Sequence, residues 1–64
     1  MGKMTVRYFK VGVVPVKIEY TEYGARAAYV MADGAFKIDN AYIAEVARGE
    51  DVEELTKAAF EKML

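Results

Sequence analysis

Sixty-four residues with nine basic and ten acidic side chains, and neither Cys nor His, make one small domain spanning residues 1–64 and exclude disulfides and the common zinc sites. A chain this short buries only about 60% of the surface its unfolded form exposes, so association with a second copy is the staple left to it. An apolar content of 55%, above the roughly 45–50% of soluble domains, points the same way, while a net charge of −1 argues for no particular partner.

The first predicted strand runs from about Met4 to Val11, with either Val6 and Tyr8 or Phe9 and Val11 facing inward. The apolar connection Gly12-Val13-Val14-Pro15 does not fix its register. In the second strand Val16, Ile18 and Tyr20 alternate with Lys17, Glu19 and Thr21, the period of a half-buried strand. A turn at Tyr23-Gly24 would pair Tyr20 with Ala27, Ile18 with Tyr29 and Val16 with Met31. Asp33-Gly34 is a strong two-residue hairpin signal and pairs Met31 with Phe36 and Tyr29 with Ile38. Both turns gather the large apolar residues on one face and leave Lys17, Glu19, Thr21, Arg26, Ala28, Val30 and Lys37 on the other.

Helices follow. Asp39 or Asn40 can cap a helix through Arg48, with Ile43, Val46 and Ala47 on its stripe and Gly49 at its end. Asp51, with Glu54 three residues later, reads as the capping box of a second helix. Val52, Leu55, Ala59 and Met63 line its buried stripe, with Phe60 and Leu64 alongside. The expected fold is α+β: a four-stranded antiparallel β-meander followed by two short C-terminal helices packed on one sheet face (ββββαα).

No apolar run approaches the roughly 18 residues of a membrane span. The N-terminus lacks a secretory core, and Val6 stands where a myristoylation pattern beginning at Gly2 needs Ser or Thr. A cytoplasmic protein is the default expectation. The absence of Gln and Cys, with Asn40 the only side-chain amide, fits a thermophilic bias. Charge is uneven: residues 1–32 carry five basic and two acidic side chains, residues 33–64 four basic and eight acidic.

Without Ser, Cys or His the usual nucleophile–base pairs cannot be assembled, so no enzyme is expected. Glu50, Asp51, Glu53 and Glu54 lack calcium-loop spacing and read as an acidic first helical turn. The glycines are scattered singly, without a phosphate-binding loop. No metal or cofactor is expected.

Two readings of function remain. The leading one is a non-enzymatic protein–protein interaction module acting as a homodimer, joined through Phe9 or Val11 with Ala28 and Val30 on the outer sheet face, or through the edge strand near Met4–Val11. It predicts that Val30→Glu weakens the dimer without unfolding the subunit. The alternative is a nucleic-acid-binding face bearing Arg7, Lys17, Arg26 and Lys37, Arg7 joining it only if Val6 and Tyr8 point inward. A helix-turn-helix over residues 40–64 fails because its second helix is acidic, and phosphates repel it.

Overall fold

The structure, a computed structural model, describes residues 3–64; the myristoylation pattern at Gly2 falls outside them. Three tight turns fold the first part of the chain into an antiparallel meander of β1 (Thr5–Val11), β2 (Val14–Thr21), β3 (Gly24–Ala32) and β4 (Ala35–Ile38). Helix α1 (Ala41–Arg48), strand β5 (Val52–Leu55) and helix α2 (Lys57–Lys62) complete the chain. The sheet order is β4-β3-β2-β1-β5, antiparallel at every pairing. The class is α+β, with the four-stranded meander and the helices after it that the sequence implied, plus a fifth strand.

The last hairpin forms as its chemistry demands. Asp33 and Gly34 both take positive φ, 52° and 80°, as a type I′ turn requires, and Met31 pairs with Phe36 and Tyr29 with Ile38. The β2–β3 hairpin departs from expectation. Thr21 pairs with Gly24, so the loop is Glu22-Tyr23, and the register shifts between Glu19 and Tyr20. The Thr21 hydroxyl accepts the Tyr23 N–H and donates to the Gly24 carbonyl, which fastens the turn one position earlier. Moving the turn alone would keep the faces. The bulge at Arg26 inserts one unpaired residue and reverses the β3 side chains from Ala27 onward relative to β2.

Val16 therefore pairs with Val30 and Ile18 with Ala28, and Phe9 pairs with Val16 across β1–β2. These five residues form the buried core of one face, which we call the front, with Tyr42, Ile43 and Val46 of α1 packed on it. The opposite, back face carries Tyr8, Lys17, Tyr29, Met31 and Phe36, and α2 lies there, its Phe60 ring 4.8 Å from Tyr8 and 6.0 Å from Phe36. The two helices cover opposite faces, not one. The bulge explains why: it divides the large apolar residues between two faces, and each then needs its own cover.

Residues 51–55 also differ from the expected helix. Gly49 ends α1 with a φ of 76°, Asp51 takes a φ of 56°, and Val52–Leu55 pairs with Val11–Tyr8. In the meander alone, the outward amides of β1 would have no partner. A fifth strand satisfies them, and the Asp51 carbonyl accepts the Gly12 N–H at 2.8 Å. Val52 and Leu55, which would share a helical stripe, lie on opposite faces of a strand and serve the two cores separately. The helix begins only after Thr56, whose hydroxyl accepts the Ala59 N–H.

Candidate interaction surface

Each residue singled out in the sequence has a definite place in the sheet. Phe9, Ala28 and Val30 are 4%, 0% and 8% exposed and Val11 is half-buried against them, so all four lie in the core beneath α1. They are not a docking surface. The edge expected at Met4–Val11 is likewise occupied over Tyr8–Val11 by β5.

The four basic residues do not share a face. Lys17 pairs with Tyr29 on the back, and Arg26 reaches Glu19 there at 3.5 Å. Arg7 pairs with Ile18 and Lys37 with Val30 on the front. Three of them are engaged with carboxylates: Arg7 with Glu54 at 2.6 Å, Arg26 with Glu19, and Lys37 with Asp33 at 3.9 Å. Lys17 sits over aromatic rings, its amine 4.3 Å from the centre of Phe36 and 5.7 Å from that of Tyr29, within range of cation–π attraction. A phosphate backbone would meet separate cations, each already partnered, instead of a stripe.

The Arg7–Glu54 pair is the most developed polar contact. The guanidinium donates from Nε at 2.9 Å and from Nη2 at 2.6 Å to the two carboxylate oxygens, the bidentate geometry that gives such pairs their directionality. It also lies 5.3 Å from the ring centres of both Phe9 and Tyr20. The hydrogen bonds from Arg7 hold the Glu54 carboxyl below its ordinary range, and the same bonds raise the Arg7 value. Together with Lys10–Glu53 at 3.2 Å, this pair turns the acidic run at 53–54 into cross-strand partners of β1.

The open surface lies on the back face and along β4. Helix α2 has six residues and shelters the middle of the back face through Phe60, which is buried. Outside that cover, Met4, Val6, Ile38 and Leu64 are large apolar residues left exposed, Ile38 at 65%. Ile38 heads a row that continues through Tyr29, Lys17 and Tyr8 to Leu55 across all five strands. Two shallow depressions lie at the far end, around the Glu22-Tyr23 turn, lined by Lys3, Met4, Thr5 and residues 20–23.

The β4 edge has a defined pattern of free backbone groups. Asp39 donates its N–H to the Ala28 carbonyl at 2.9 Å, and Ala32 closes the hairpin with Ala35. By alternation Ala35, Lys37 and Asp39 point their backbone groups at β3, while Phe36 and Ile38 point theirs outward. The side chain of Asn40 then ends the ladder: its Oδ1 accepts the Ala28 N–H at 3.1 Å, replacing the carbonyl a longer strand would supply. The sequence pattern puts Phe36 and Ile38 on the covered face; Phe36 is half-buried against Phe60, while Ile38 lies open at the end of the strand. A meander always leaves its last strand at the edge unless something returns to cover it, and that signal was present in the order of elements.

The fold and surface thus define a small α+β protein with a five-stranded antiparallel sheet between two helices, edged by β4 and β5. Comparison with known protein families, characterised proteins and solved structures finds no match for this chain. Among the described residues, no helix is long and apolar enough to cross a membrane.

Proposed function

We propose that this chain is a non-enzymatic protein–protein interaction module and that it works as a homodimer. The observation that carries the reading is the unpaired β4 edge with Ile38 exposed at its end. An edge of this kind is a template for another strand, and the second copy is the partner always at hand.

A standard interface takes about 800 Å² from each partner, close to a fifth of the 4474 Å² this chain exposes. A four-residue edge with a few flanking side chains supplies less. The dimer is therefore in exchange with monomer, and its population follows concentration. Sedimentation equilibrium from low micromolar to near-millimolar protein tests this. The expected result is a monomer–dimer isotherm, with Ile38→Glu monomeric and still folded. A wild-type protein that stays monomeric throughout would sink the proposal.

A further inference from the structure

The candidates for self-association are the two sheet edges, and they differ in chemistry. The β5 edge points the backbone of Val52 and Glu54 outward, and the Glu54 side chain is committed to Arg7. The β4 edge points Phe36 and Ile38 outward, with no acidic side chain between them. An incoming strand meets one charged side chain in β4, Lys37, against two in β5, Glu53 and Glu54, and gains more apolar contact at β4.

Resting on the homodimer reading, we propose that two copies join antiparallel through β4, with Lys37 on the two-fold axis, making one ten-stranded sheet. A two-fold axis perpendicular to the sheet keeps front with front, so directly opposed residues must share a face. An axis at Ala35 would set Phe36 against the partner's Gly34. One at Ile38 would set Phe36 against the partner's Asn40, whose φ of −70° and ψ of −10° are helical. Phe36 and Lys37 are left as the axes to compare. With the axis at Phe36, Ile38 would seek its bonds from the partner's Gly34, whose φ of 80° takes it out of strand geometry. With the axis at Lys37, Phe36 and the partner's Ile38 exchange N–H and C=O bonds, and the symmetric pair does the same, giving about four bonds. On the back face each Ile38 then lies against the partner's Phe36, an aromatic–β-branched cross-strand pair of the favourable kind.

The cost of this register is Lys37 opposite its own copy, and that cost is a signature. Each Lys37 has Asp33 at 3.9 Å to offset part of the charge, and the remaining repulsion is screened by salt. Association through this edge should tighten as salt is added and tighten again in Lys37→Thr. A contact built on opposite charges would weaken with salt.

Three measurements test the arrangement. Ile38→Pro removes an outward N–H and leaves the β3–β4 ladder intact, a position where an edge strand accepts proline. It should weaken dimerisation by about thirtyfold, because two of the four bonds go. Lys37→Cys introduces the chain's only thiol at a non-hydrogen-bonded pair, where Cα atoms lie about 4.5 Å apart, within disulfide range. Mild oxidation should cross-link it rapidly in buffer and slowly in urea. In wild type, the amides of Phe36 and Ile38 should exchange fast when dilute and slowly when concentrated, with Lys37 protected in both.

Dimerisation unaffected by Ile38→Pro, with Lys37→Cys cross-linking no faster in buffer than in urea, would overturn this interface and leave the homodimer standing. Wild type that never dimerises would overturn both.

Discussion

Glu54 shows how one carboxylate can be read from its surroundings. Its pKa is lowered by the two hydrogen bonds from Arg7, so its folded-state value lies below its unfolded one, and the unfolded chain binds the proton more readily. The stabilisation is fully present above the ordinary value near 4.5 and is lost as pH falls through the folded value. Glu54→Gln should therefore melt below wild type at neutral pH, with the difference closing on the acid side; thermal melts from pH 7 to 2 check this. Val30 carries a different lesson. It is 8% exposed beneath α1, so Val30→Glu should cost more than about 3 kcal/mol and abolish cooperative unfolding, contrary to the surface role its alternation with Tyr29 and Met31 suggested. Alternation identifies which residues share a face, but not which face is covered.

At the scale of elements, β5 and α2 divide a segment that looks helical throughout. Asp51 and Glu54 have capping-box spacing, and Glu, Leu, Lys and Ala favour helix, yet the β1 edge has unmet backbone groups, and Arg7 and Lys10 stand ready for Glu54 and Glu53. Tertiary pairing outweighs a propensity worth tenths of a kcal/mol per residue. Hydrogen exchange reports the outcome directly: Tyr8 and Lys10 turn their amides toward β5, so they should be protected like Phe9, whereas a helix over 51–55 would leave them fast. The true cap is Thr56. Thr56→Ala should cost about 1 kcal/mol, measurable by urea denaturation, and should loosen the lid that Phe60 provides. Helix α1 was more legible, since Ile43 and Val46 face the core as their spacing implied and Gly49 ends it. Of its two candidate caps, Asp39 accepts the Ala41 N–H through Oδ1, while Asn40 is diverted to Ala28.

For the whole molecule, the sheet has two separate covers and little surplus. A 64-residue domain is expected to have about 3–10 kcal/mol of stability, and the back-face cover rests on Phe60 against Tyr8 and Phe36. Phe60→Ala removes about 3–5 kcal/mol, much of that total, and should leave the chain largely unfolded at 37 °C by circular dichroism. Any stabilisation from a second copy is concentration-dependent, so the melting temperature of wild type should climb with protein concentration, while that of Ile38→Pro should begin to climb only at about thirtyfold higher concentration.

The sequence by itself determined what local chemistry decides: the strands of the meander, the Asp33-Gly34 turn and its Met31–Phe36 register, the first helix and its end. It also determined the exclusions that follow from missing Cys and His. The tertiary structure alone decided three things: the bulge at Arg26, the strand at 52–55 and the burial of Phe9, Ala28 and Val30. The strand and the burial depend on contacts between residues far apart in the chain, and the bulge, though it lies within one hairpin, on how two strands meet rather than on the pattern along either. A bulge is set by how β3 meets β2, and a fifth strand by an edge some forty residues upstream. Because side chains alternate with a period of two, that single inserted residue was enough to exchange the faces and move the open surface from Val30 to Ile38.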